Sequence, residues 1–150
     1  MEISNKKRTR RIKRIFNLVV VFLLLVALFF VWKENNAGAL IAGGVLVLFV
    51  VGFQFVNINY VYYSSEGAKL LVRYYPVVAL FGKEYNAIEF DKHLLYSAKV
   101  KKVFLFSDLY LSIRTSKGIA EYPEVSLAGL SREEIQAIQR DLTEMLQLVR

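Results

Sequence analysis

Few side chains in this sequence could do chemistry. His93 is the only histidine, and the chain has no cysteine. A single imidazole without thiolates or matched carboxylates makes neither a metal site nor a nucleophile–base pair. Following Asp91-Lys92, it reads as a turn residue. The acidic pairs Glu89/Asp91 and Glu133/Glu134 read as strand-edge and first-turn helix charges, because a helix N-terminus favours carboxylates. Neither a Walker loop nor a dinucleotide fingerprint is present. The expectation is a protein that is not an enzyme, with no catalytic residue, no cofactor and no metal. Missing thiols also remove disulfides and acyl-cysteine anchors.

One basic cluster remains outside the N-terminus: Lys99, Lys101 and Lys102. On a strand, Lys99 and Lys101 share a face and could meet lipid headgroups or an acidic partner. The competing reading is a solvated edge where lysine discourages further strand pairing. Seven of the 20 basic residues fall within 6–14, whereas twelve basic and eleven acidic residues lie from Asn57 onward. The net charge of +7 therefore sits almost entirely in residues 1–14, read as a basic tail, and nucleic acid is not an expected partner.

The hydrophobic share of 55% is concentrated between Ile15 and Val56. Residues 15–32 contain one clearly polar side chain, Asn17, and residues 37–53 contain none. Spans of 15–32 and 37–56 would each reach roughly 27–30 Å, enough for a bilayer core of about 30 Å. The link Lys33-Glu34-Asn35-Asn36 is too short for a domain, so the two helices must form an antiparallel hairpin. A rival reading is a signal peptide cleaved near Ala37-Gly38-Ala39. The apolar run exceeds the usual h-region, and a second span follows at once. The basic cluster before the first span puts both termini in the cytoplasm of a protein integral to the inner membrane. In the second span, Gly38 with Ala42 and Ala39 with Gly43 stack small residues at four-residue spacing. Packing within the hairpin, contact between copies, and no specific role all remain open for them. No ionisable group lies inside either span, which disfavours an ion pathway.

Residues 57–150 read as one β-rich domain. Alternation suggests strands over 54–63, 68–75 with an extension over 77–81, 85–90, 94–106, 109–115 and 119–124. Tyr60, Tyr62 and Tyr63 fit either the first strand or an interfacial aromatic belt. Turns are expected at Ser64-Ser65-Glu66-Gly67, Gly82-Lys83-Glu84, Ser107-Asp108 and Ser116-Lys117-Gly118. A capping box, Ser131-Arg132-Glu133-Glu134, opens a helix over 131–149. Ile135, Ile138, Leu142, Leu146 and Val149 make its apolar stripe, which needs a sheet to cover.

Six or seven strands closed by a C-terminal helix resemble the pleckstrin-homology-like fold. Tyr85-Asn86-Ala87-Ile88-Glu89-Phe90, the turn through Thr115-Ser116-Lys117-Gly118 and the final helix carry that likeness. Two spans followed by such a domain resemble bacterial membrane proteins with PH-like cytoplasmic domains. The resemblance does not bring a phosphoinositide site with it, since the first turn, Ser64-Ser65-Glu66-Gly67, is acidic. The leading expectation is a membrane-tethered interaction or assembly module with the bilayer and a protein as partners. An anionic-lipid or envelope-stress sensor and an accessory subunit of a transport complex are the alternatives.

Overall fold

A computed structural model describes residues 1–79, 85–103 and 106–149, and the side chains of all of these but 103 and 149. The 82–84 turn, the end of the 77–81 extension and residues 104–105 of the long β-rich stretch lie outside the described residues. So does the Val149 side chain of the helical stripe.

The chain divides into two compact units, Arg10–Asn57 and a second assembled from Met1–Thr9 with Ile58–Arg150. In the first, helices α1 (Lys6–Trp32) and α2 (Asn36–Phe55) form the expected hairpin, with α1 beginning inside the other unit. The connection is compact for a local reason. Glu34 takes a left-handed φ of 55°, and the amides of Asn35 and Glu34 return to the Phe30 and Val31 carbonyls. This pattern satisfies carbonyls that a helix end would otherwise leave open. The Asn35 side chain then accepts from the Gly38 amide and caps α2. Asn57, also left-handed at φ 47°, ends α2. The helix thus runs through Gln54 and Phe55, and the strand expected from 54 begins only at Asn59.

The second unit holds β1 (Glu2–Ser4), β2 (Asn59–Ser64), β3 (Lys69–Pro76), β4 (Asn86–Asp91), β5 (Leu95–Val103), β6 (Phe106–Thr115), β7 (Gly118–Glu121), β8 (Val125–Ser126) and α3 (Arg132–Val149). A one-turn 3-10 helix at Lys92–Leu94 carries His93 between β4 and β5. One antiparallel sheet has the order β1-β2-β3-β4; the other has β5-β6-β7, with β8 also pairing β6. Ser107 and Asp108 lie inside β6, not in a turn, because they continue its ladder with Lys102 and Lys101.

The N-terminal tail requires correction. Residues 1–14 are not a free basic extension: Glu2, Ile3 and Ser4 pair with Ser64, Tyr63 and Tyr62, and α1 starts at Lys6. The helical hairpin is therefore an insertion in the β1–β2 connection, and the β-rich unit is built from both sides of it.

Alternation puts Val61, Tyr63, Leu70, Val72, Ile88 and Phe90 on the inner face of the first sheet. Leu109 and Leu111 of the second sheet join them, and Ile138, Leu142 and Met145 of α3 close the core. Burying each such side chain is worth about 1.5–3 kcal/mol, which makes the helix part of the domain's stability. The capping box forms as its spacing predicts: the Ser131 amide donates to Glu134 at 2.6 Å, and the Glu134 amide donates to the Ser131 hydroxyl at 3.2 Å.

Candidate functional site

Asn5 ties together the two stretches of the β-rich unit that flank the insertion. It is 2% exposed. Its Nδ2 donates to the Asn59 carbonyl at 2.9 Å, and its Oδ1 accepts the Val61 amide at 2.9 Å. One side chain thus joins the chain leaving β1 to the chain entering β2. Gly129 lies against this joint so closely that a Cβ there would sit 2.6 Å from Asn5 Nδ2 and 2.7 Å from the Asn59 carbonyl oxygen. No side chain larger than hydrogen fits without displacing backbone.

Arg8, one helical turn along, reaches the start of α3. Its guanidinium donates to the Gly129 carbonyl at 3.2 Å and to Glu134 Oε2 at 2.8 Å. Burial works against the Glu134 carboxylate, but the Ser131 amide, the Arg8 guanidinium and the Ser131 hydroxyl outweigh it and hold its pKa below the ordinary value. The same carboxylate completes the capping box and receives one member of the first basic cluster, Arg8. Arg8 therefore differs in kind from the other basic residues of 6–14.

The lysine cluster divides between two faces. Register pairs Lys99 with Tyr110, Lys101 with Asp108 and Lys102 with Ser107. Lys99 and Lys101 share the outer face, where Lys101 Nζ sits 5.0 Å from the centre of the Tyr110 ring. The Tyr110 hydroxyl donates to Glu124, so a carboxylate borders this patch. Lys102 belongs to the opposite face, beside Leu127, Leu130 and Ile135. The three ammonium groups do not converge on one ligand.

The two rows of small residues also separate. Gly38 faces Phe30 so directly that a Cβ would lie 2.6 Å from its ring, and Ala42 is buried. Phe16 seals the other end, with ring centres 5.6 Å from Phe49 and 4.6 Å from Phe53. A Cβ on Gly43 would meet nothing within 4 Å, so the Ala39/Gly43 row is not matched to α1 in the same way.

The outer face of the first sheet carries a surface that sequence reasoning missed. Tyr60 stacks on Tyr75 at 4.6 Å, and Tyr75 meets Tyr85 at 5.1 Å, giving a ladder of rings across β2, β3 and the entry to β4. Lys6 and Arg73 border it in a concavity of about 650 Å³. The sequence signal was present in the alternation of 60–63, where even positions face outward and Tyr63 faces the core. Tyr63 donates to Asp141 of α3 at 2.6 Å, and burial, then this carboxylate, push its pKa well above the ordinary tyrosine value.

These features define a class by architecture: a helical hairpin inserted into a small two-sheet domain closed by a C-terminal helix. No family model, curated protein or solved structure matches the chain.

Proposed function

We propose that the protein is a non-enzymatic, membrane-tethered interaction module whose hairpin crosses the inner membrane and whose β-rich domain lies in the cytoplasm. The observation that carries this reading is the insertion itself. A domain whose first strand precedes the hairpin and whose remaining strands follow it is held to both helices, a secure way to present a binding surface at a bilayer.

The apolar helices support the membrane half of the reading. Leu18, Phe22, Leu25, Leu40 and Leu48 are among the large apolar side chains that the chain itself leaves uncovered. In water such surface drives association; in lipid it is at home. The basic residues 6–14 adjoin the first span, which supports a cytoplasmic N-terminus, and two crossings return the C-terminus to the same side. The order of a four-stranded sheet, a second sheet and a terminal helix supports a PH-like domain, a fold type that commonly binds through grooves and edges.

Purification of the tagged full-length protein in mild detergent tests the proposal. A companion protein should be retained in near-equal amount and should be lost when the β-rich domain is unfolded by substitution. A preparation with no companion, or one whose companion survives unfolding of that domain, would refute an interaction role for the domain.

A further inference from the structure

We infer that the tyrosine ladder on the outer face of the first sheet is the docking groove for an extended peptide segment of a protein partner, one that carries an acidic side chain next to a proline or aromatic residue. The inference rests on the interaction-module reading and gives that module its binding surface and the chemistry of its partner.

Three observations select this occupant. The first is shape. Tyr60, Tyr75 and Tyr85 form a continuous row of rings over a floor that includes Leu71 and Ala87, in a concavity of about 650 Å³. A row of flat faces suits an extended chain with flat or ring-bearing residues at regular steps, as in recognition of polyproline-type segments. Tyrosine is also among the residues that dominate binding energy at protein interfaces.

The second is charge. Lys6 and Arg73 border the groove, and no carboxylate is among the described residues that line it. An acidic side chain in the bound segment would find two cations, one of them a guanidinium able to grip a carboxylate through two donors.

The third observation separates a peptide from a lipid surface. At the margins of the groove, whose lining includes Tyr62 as well as Arg73, the same sheet carries carboxylates. Glu89 stands on β4, where it pairs with Lys69 at 2.8 Å. Glu2 lies against the Tyr62 hydroxyl and raises its pKa. A continuous sheet of anionic headgroups would meet Glu2 and Glu89 together with Lys6 and Arg73. A peptide with a single carboxylate can set it against Lys6 and Arg73 and keep its other residues uncharged where Glu2 and Glu89 flank the groove.

Tyr85, 70% exposed, and Arg73, also exposed, can be changed without disturbing the core. The test presents a displayed library of random short peptides to the full-length protein in nanodiscs of zwitterionic lipid. Selected peptides should share an Asp or Glu beside a proline or aromatic residue. Tyr85→Ala should weaken their binding about tenfold or more. Arg73→Glu should shift selection toward Lys or Arg at the acidic position. No shared pattern, or a pattern that both variants leave intact, would overturn the proposal. Displacement of the selected peptides by phosphatidylglycerol in the nanodisc would overturn it too, and would assign the groove to the bilayer. If peptide selection fails while the detergent-purified protein keeps its companion, the groove is wrong and the interaction module stands.

Discussion

Replacing Leu142 with Asp is expected to unfold the β-rich domain. Leu142 is 2% exposed and sits in the core cluster with Ile138 and Met145 of the same helix and the inner faces of both sheets. Losing a buried leucine side chain costs about 2–5 kcal/mol in itself. A carboxylate in its place adds the cost of burying a charge with no partner among apolar neighbours. Domains of ordinary stability have only about 5–15 kcal/mol in total, so the sum reaches the whole. Thermal unfolding of the detergent-solubilised protein, followed by near-ultraviolet circular dichroism, should lose its domain transition. Gln139→Lys, on the exposed side of the same helix, should melt within about 0.5 kcal/mol of the parent. A Leu142→Asp protein with an unchanged transition would mean that α3 does not close the core.

The second large effect is expected at Asn5. Leucine there keeps the branched shape, slightly enlarged, and loses both hydrogen-bonding ends, leaving the Asn59 carbonyl and the Val61 amide without the partner each has now. Each buried backbone group so orphaned costs about 1–3 kcal/mol, giving about 2–6 kcal/mol for Asn5→Leu. The same joint should be broken from the other side by Gly129→Ala, whose new methyl group would collide with Asn5 and with the backbone of Asn59. Both variants should lower the domain's melting temperature, and their effects should be less than additive because they damage one contact. Additive losses, or an Asn5→Leu protein as stable as the parent, would show that residues 1–5 are not structural. A fragment beginning at residue 57 lacks this joint and β1 together, so it is expected to be less stable than the whole chain.

How far the sequence leads depends on the distance over which each feature is determined. The hairpin link and the α3 capping box are made by residues within a few positions of each other, and both are legible. The inner faces of β2 and β4 are legible as well, because alternation is a local property. The strand β1 is not. Glu2-Ile3-Ser4 has no pattern of its own, and its partners lie about sixty residues away, beyond the helical hairpin. For the same reason the basic residues after it read as a tail, and Arg8 could not be told from its neighbours. The division of Lys99 and Lys101 from Lys102 follows from simple alternation and was within reach. That Lys101 would lie over Tyr110 beside Glu124 depends on register, which sequence does not supply. The tyrosine ladder also needs register: Tyr60 and Tyr75 are far apart in the chain and become neighbours only through the β2–β3 pairing.

Thiol labelling of intact cells tests the account most directly, and a chain without cysteine is suited to it. One variant carries Asn36→Cys at the exposed start of α2, and another carries Ser116→Cys in the exposed β6–β7 turn. A membrane-impermeant maleimide should label the cysteine at 36 in intact cells and reach the one at 116 only after the inner membrane is opened. Labelling of the cysteine at 116 in intact cells, or protection of the one at 36 until lysis, would contradict an inserted hairpin that keeps the domain in the cytoplasm.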